Sequence, residues 1–196
     1  MGYKYNRKDI LKQGINLMSQ SGYHGIGVMD ILKSMNIPKG SFYNFFDSKE
    51  AFIIEAIELY GVSNLKLIDR LEQMEILNPL EKVKAYFNHL IQKNKAQNFK
   101  YSCFWGNMST EVAGENERVS QAIQEQMTLI KERFVQWLTE AQKQNILIEI
   151  YTPTVLADFL YTNFHGAMVT MKYQQSAKPL EDFLEINFKL LSKELK

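Results

Sequence analysis

The chain has 196 residues, of which 45% are hydrophobic and 23% charged, and its formal net charge is only +1. This length allows one large domain or two small ones with a sizeable core, while the near-neutral balance excludes an overall basic surface. The single cysteine excludes an intramolecular disulfide, and we expect no signal peptide, no membrane span, and a reducing, cytoplasmic location.

A helical pattern of apolar residues runs through almost the whole sequence. Asn6 is placed to cap the first helix, and four prolines stand where later helices would begin. Residues 146–150 are strand-like, but an isolated strand has nothing to pair with, so we predict an all-α fold. We place nine helices at about residues 6–21, 28–35, 38–45, 47–70, 79–98, 103–112, 116–144, 153–174 and 179–195.

Charge is distributed unevenly along the chain. Residues 1–49 contain seven lysines or arginines and three acidic residues, a net of +4, which leaves −3 for the remainder. A basic amino-terminal module on a mildly acidic body indicates a part that faces DNA. Three short helices separated by turns, the third basic at its start, are the helix-turn-helix arrangement.

The segment from Ile37 to Phe52 combines aromatic, basic and small residues in sixteen positions. Its aromatic residues at 42, 45 and 46 suit one face of a short helix packed on a small core. The polar residues suit the opposite face, where they can contact bases and phosphates in the major groove. The candidate DNA contacts in this segment are Lys39, Gly40, Ser41, Tyr43, Asn44 and Lys49.

Read together with Gly22-Tyr23, Val28 and Ile31-Leu32, this segment resembles the signature of the TetR family of transcriptional regulators. The resemblance implies a helix-turn-helix domain at 1–50 and a helical effector-binding and dimerisation domain at 51–196. It further implies a homodimer through the last two helices, a palindromic DNA operator, and release by a small-molecule inducer, usually ending repression. Gly27 departs from the signature, because many members have a phosphate-contacting threonine there; its backbone N–H remains as a candidate contact.

The second half resembles one subgroup of that family, the subgroup of the N-ethylmaleimide-reductase repressor. The matching residues are Ser102-Cys103-Phe104, 108–112, Gly166-Ala167, Lys172 and 178–181. In that subgroup a cysteine at the place of Cys103 senses electrophiles or oxidants, with a lysine at the place of Lys172 beside it. Ser102 replaces the usual glycine before the cysteine, and bulky residues follow it.

Several alternatives remain open for this half of the chain. Trp105, Tyr161, His165 and Met168 are candidates to line an apolar effector pocket, although aromatic residues at helical spacing are usually core. Cys103 is also interpretable as a small buried hydrophobe. A second class of function is a thiol-dependent enzyme with Cys103 as nucleophile and His89 or His165 as base. A DNA-binding adaptor with a silent sensor is a third possibility. No cofactor and no metal site are expected.

Overall fold

A computed structural model describes residues 5–193 of the chain, and it confirms the all-α class. Within those residues no helix is long and apolar enough to cross a membrane. The described part comprises eight α-helices and one 3₁₀ helix, in the order α1 (Arg7–Ser21), α2 (Val28–Ser34), the 3₁₀ helix (Lys39–Asn44), α3 (Lys49–Glu72), α4 (Pro79–Ala96), α5 (Phe104–Glu111), α6 (Glu117–Lys143), α7 (Pro153–Gln174) and α8 (Lys178–Leu191).

Local sequence signals account for most helix starts. The Asn6 side chain accepts a hydrogen bond from the Asp9 N–H, as its spacing predicted. Asn78 stands directly before Pro79, and Glu81 is the third residue of α4. Each side chain accepts a hydrogen bond from the backbone N–H of the other residue, which is a capping box. These caps satisfy N–H groups that have no partner inside the helix, so the predicted starts agree with the structure to within about two residues.

The third helix differs from the prediction in its winding. It is a 3₁₀ helix, in which the Ser41 N–H donates to the Pro38 carbonyl at 2.9 Å and the Phe45 N–H to the Phe42 carbonyl at 2.9 Å. A six-residue helix forms few hydrogen bonds in either geometry, and the tighter 3₁₀ form occurs in short pieces, of which this one is longer than usual.

The expectation that residues 146–150 would find no pairing partner was wrong. Leu147 forms an isolated antiparallel bridge with Ser192. The Ile148 N–H donates to the Leu191 carbonyl and the Lys193 N–H to the Ile146 carbonyl, both at 3.0 Å. The pairing stops at one bridge, so it ties the segment after α6 to the end of α8 without making a strand.

The chain divides into two compact units. The first unit contains the described residues up to Ser63 together with Ser102–Met127, and the second contains Asn64–Tyr101 and the described residues from Thr128 onward. The domain boundary that we predicted at residues 50–51 was taken from the family signature and not from compactness. It stays a prediction.

Each unit has its own aromatic core. In the first unit the rings of Phe42, Phe46 and Phe52 lie within 5.8 Å of one another by their centroids. In the second unit Phe87 contacts Phe134 and Phe183, with centroids 5.5 and 5.0 Å away. The predicted end of the last helix, residues 194–195, lies outside the described residues.

Candidate nucleic-acid interface

The 3₁₀ helix separates its aromatic residues from its polar ones. The Phe42 and Phe46 side chains are 1% exposed, whereas the Tyr43 side chain is 73% exposed. Phe45, predicted to be inward, is only half-buried. The remaining candidate DNA contacts of this helix are exposed at Lys39, Gly40 and Asn44 and half-buried at Ser41. This helix therefore presents a polar face to solvent while its apolar face fills the core of the first unit.

Gly27 occupies the cap position of α2, but its N–H is already engaged. It donates to the Asp30 carboxylate at 2.8 Å, three residues into the helix. A phosphate would have to exchange with that carboxylate to reach this N–H, since both are acceptors. The predicted backbone contact at Gly27 thus competes with an internal bond that the sequence did not reveal.

Lys49, the first residue of α3, packs against an aromatic ring. Its Nζ lies 3.7 Å from the centroid of the Tyr23 ring, a cation–π contact that holds the ammonium in place. Arg7 is fixed in a comparable way, with Nε 2.7 Å from the Glu55 carboxylate and its guanidinium 5.0 Å from the Phe46 ring. The side chains of Lys49 and Arg7 are therefore oriented by the fold.

Two family profiles match the chain in consecutive regions. Residues 10–56 match the profile of bacterial regulatory proteins of the tetR family, and residues 79–186 match the tetracyclin repressor-like carboxy-terminal domain. The chain belongs to the TetR family. It is accordingly a helix-turn-helix, DNA-binding transcriptional regulator, and repressors of this family are dimers that bind DNA operators.

Full-length relatives support the same assignment. The chain is 29% identical over 189 residues to the transcriptional repressor DhaR of Mycobacterium sp. strain GP1, covering 94% of this chain and 91% of DhaR. It is 28% identical over 178 residues to the repressor NemR of Escherichia coli K12, covering 91% and 89%. Both proteins are named as transcriptional repressors.

Solved structures agree with the fold over nearly the whole chain. The crystal structure of E. coli NemR in its reduced form superposes with a TM-score of 0.80 at 28% identity, covering 95% of this chain and 96% of that one. A TetR regulatory protein from Rhodobacter sphaeroides gives 0.88 at 25% identity, covering 94% and 97%. The predicted similarity to the subgroup of the N-ethylmaleimide-reductase repressor, NemR, is confirmed in both sequence and fold.

The candidate effector residues of the second unit lie along one helix, α7. The rings of Tyr161 and His165 are 4.8 Å apart, and Met168 is buried with its sulfur 3.6 Å from Asn94 Nδ2. The Lys172 ammonium donates to the Lys100 carbonyl. Partial burial lowers the pKa of Lys172 below its ordinary value, because desolvation disfavours the charged form.

The other two effector candidates lie at the start of α5 in the first unit. Cys103 is half-buried and is the cap residue of that helix. Trp105 is 1% exposed, with its indole N–H donating to the Ile57 carbonyl at 3.2 Å. Trp105 therefore packs the core of its unit, and an effector role for it stays a prediction.

Helix α7 was predicted from the sequence, but a stripe of exposed apolar side chains on it was not. Val155, Phe159, Val169 and Tyr173 of α7 are between 46% and 71% exposed. At 100° per residue they fall within about 80° of one helix face. A helical projection of the sequence would have found this stripe, but it could not have shown that no other helix of the described chain covers it.

Proposed function

We propose that the protein is a homodimeric transcriptional repressor that reads a palindromic operator with residues 27–49. The observation that carries this proposal is the orientation of the 3₁₀ helix. The exposed Lys39, Gly40 and Asn44 and the 73% exposed Tyr43 face solvent, and the buried rings of Phe42 and Phe46 hold that face in place. In a bacterial regulator of this kind we expect the site of action to be the cytoplasm.

We call residues 27–49 the reading segment. Its candidate DNA contacts fall into two groups. Lys39, Lys49 and the Tyr43 hydroxyl suit phosphates, which fix position and contribute most of the salt-dependent affinity. Ser41 and Asn44 have the hydrogen-bonding groups that distinguish base edges in the major groove. Gly40 has open space where a side chain would begin, so DNA backbone can approach closely there.

The dimer interface that we propose is formed by α7 and α8. The two helices pack against each other, and each leaves large apolar side chains exposed: the stripe on α7, and Ile186 and Leu190 on α8 at 53% and 69%. Gly166 lies in the middle of the α7 stripe with open space around it, which would allow a second helix to approach. An apolar surface of this extent is characteristic of an interface between subunits.

We further propose that an electrophile or oxidant, or else a non-covalent small molecule, releases the operator. Cys103 supports the covalent route, because it is the one cysteine of the chain and its side chain is half-buried rather than fully buried. Lys172, Tyr161, His165 and Met168 support the non-covalent route, as polar and apolar groups placed along one helix.

The DNA-reading role is tested on the duplex that the wild-type protein selects from a random-sequence pool. Tyr43→Ala and Lys49→Ala should each weaken binding about tenfold in fluorescence anisotropy, and Lys49→Ala should lower the salt dependence by about 0.9 in log–log slope. Lys84→Ala removes the same charge from an exposed site on α4 and should change little. Unchanged affinity in both Tyr43→Ala and Lys49→Ala would mean that the reading segment lies elsewhere.

The sensor is tested with N-ethylmaleimide and with hypochlorous acid. Release of the duplex from the wild type but not from Cys103→Ser supports thiol sensing. N-Ethylsuccinimide, which has the same shape without the reactive double bond, should release neither protein. If Cys103→Ser is released as readily as the wild type, the non-covalent route replaces the covalent one.

A further inference from the structure

A carboxylate from α5 binds the turn between α1 and α2. Glu111, the last residue of α5, accepts hydrogen bonds from the backbone N–H groups of Tyr23 and His24 at 2.8 and 3.0 Å. The His24 ring nitrogen lies 3.2 Å from the Glu111 carbonyl. Hydrogen bonds to a charged acceptor are stronger than neutral ones, so this turn is held firmly at its backbone.

The segment that follows Glu111 holds the far end of the reading segment. Asn116 Nδ2 donates to one oxygen of Glu50 at 2.8 Å, and Arg118 donates to the other at 2.5 Å. Glu50 lies in the first turn of α3, directly after Lys49. Residues 111–118 therefore contact the chain immediately before residue 27 and immediately after residue 49.

The beginning of α5 is anchored on the same unit. Ser102 N–H donates to the Ser19 carbonyl at 2.8 Å, and Asn107 Nδ2 donates to the Met18 carbonyl at 2.8 Å. Both carbonyls belong to the last turn of α1, and the Met18 carbonyl also accepts the Gly22 N–H at 3.0 Å. The whole segment 102–118, which we call the clamp, thus binds the end of α1, the turn after it and the start of α3.

We propose that Glu111 is a positioning residue for DNA binding, which acts through Tyr23 on Lys49. The carboxylate fixes the Tyr23 backbone, and the Tyr23 ring supports the Lys49 ammonium at 3.7 Å. Simple electrostatics gives Glu111 the opposite role, because a negative charge on a DNA-binding unit repels phosphates. The inference rests on the proposed DNA-reading role of residues 27–49.

The direction of the change in DNA affinity distinguishes a positioning role of Glu111 from simple electrostatic repulsion. Glu111→Ala and Glu115→Ala each remove one negative charge, but Glu115 is exposed beyond the end of α5. We expect Glu115→Ala to bind the selected duplex as well as the wild type or slightly better, and Glu111→Ala to bind it about tenfold more weakly. Glu111→Gln, whose amide oxygen can still accept both N–H groups, should recover most of the loss.

Two further readouts separate positioning from mere stabilisation. Glu111→Ala should lower the salt slope by about 0.9, the value for one lost phosphate contact. The double variant Glu111→Ala/Lys49→Ala should bind no more weakly than Lys49→Ala alone, since both changes remove the same contact. Additive losses with an unchanged salt slope would overturn the proposal and leave Glu111 a structural residue.

The outcome is also distinguishable from a failure of the proposed function. If Lys49→Ala itself loses no affinity, the reading segment is misassigned and the positioning role falls with it. If Lys49→Ala loses affinity but Glu111→Ala matches Glu115→Ala, only the positioning role is refuted.

Discussion

Replacing Gly22 by alanine should destabilise the first unit, and it should do so through Glu111. Gly22 follows the last residue of α1 with φ 77° and ψ 176°, a region that is essentially restricted to glycine. A Cβ atom built on Gly22 lies 2.4 Å from Glu111 Oε1 and 2.8 Å from Oε2. The substitution therefore strains the backbone and also displaces the carboxylate that binds Tyr23 and His24.

The backbone strain and the displacement of Glu111 contribute separately to the loss of stability. Holding a non-glycine residue in this backbone region costs about 1–3 kcal/mol. Displacing Glu111 weakens two charge-assisted hydrogen bonds at a partly exposed site, which we take as about 2 kcal/mol together. Gly22→Ala should thus reduce the free energy of unfolding by about 4 kcal/mol, but by only about 2 kcal/mol when Glu111 is already alanine.

The measurement uses the two tryptophans of the chain, which lie one in each unit. In a Trp137→Phe background the buried Trp105 is the single indole, and its fluorescence reports unfolding of the first unit. Urea titrations of the four variants at one fixed protein concentration give the double-mutant cycle. Equal losses from Gly22→Ala with and without Glu111 would refute the steric link, and a loss below about 1 kcal/mol would refute the strain.

Three other predictions concern the interface, the α2 cap and α7. Val169→Glu should raise the dimer dissociation constant by at least about 100-fold, because it would bury an unpaired charge in the proposed interface of α7 and α8. Sedimentation velocity measures this constant. Ile76→Glu, which changes an 87% exposed apolar residue outside that interface, should leave it unchanged. Gly27→Thr should bind the selected duplex about fivefold more tightly than Gly27→Ala, because its hydroxyl offers one new phosphate hydrogen bond of about 1 kcal/mol, while the Asp30 carboxylate, 3.2 Å from the new Cβ, shifts slightly. Because the pKa of folded Lys172 lies below its ordinary 10.5, the unfolded chain holds more protons between the two values, and the free energy of unfolding should rise with pH across that window; urea titrations should show no such rise in Lys172→Met.

Most of the fold follows from local signals, and so it could be predicted. Caps such as Asn6 and helix-start prolines such as Pro153 act within three or four residues of themselves, so the sequence alone determines where those helices begin. Phe42 and Phe46 were also predicted to be inward, and both are buried. Phe46 lies two residues beyond the 3₁₀ helix, but its N–H donates to the Phe42 carbonyl at 3.0 Å, and this spacing of four places both side chains on one side.

Features that depend on the rest of the chain were harder to predict. The bridge between Leu147 and Ser192 pairs residues 45 positions apart, and nothing in either segment indicates the other. The occupied N–H of Gly27 is a local feature, but the choice of Asp30 over solvent or phosphate depends on side-chain geometry that spacing does not specify. The division into two compact units was not predicted either, because it assigns residues 102–127 to the same unit as the amino-terminal helices.

The residues proposed to contact DNA could be recognised from the sequence, whereas Glu111, which we propose positions one of them, could not. The candidate contacts from Lys39 to Lys49 lie within eleven consecutive residues, on the 3₁₀ helix and at the start of α3, so a sequence signature can include all of them. The group that holds the turn before them is 88 residues away from Tyr23, and a glutamate at the end of a helix carries no signature of its own. Cys103 caps the same eight-residue helix that ends at Glu111. The proposed role of Glu111 therefore predicts that a change in volume or charge at Cys103 would act on a helix whose other end holds the Tyr23 backbone, and would alter DNA affinity through the clamp.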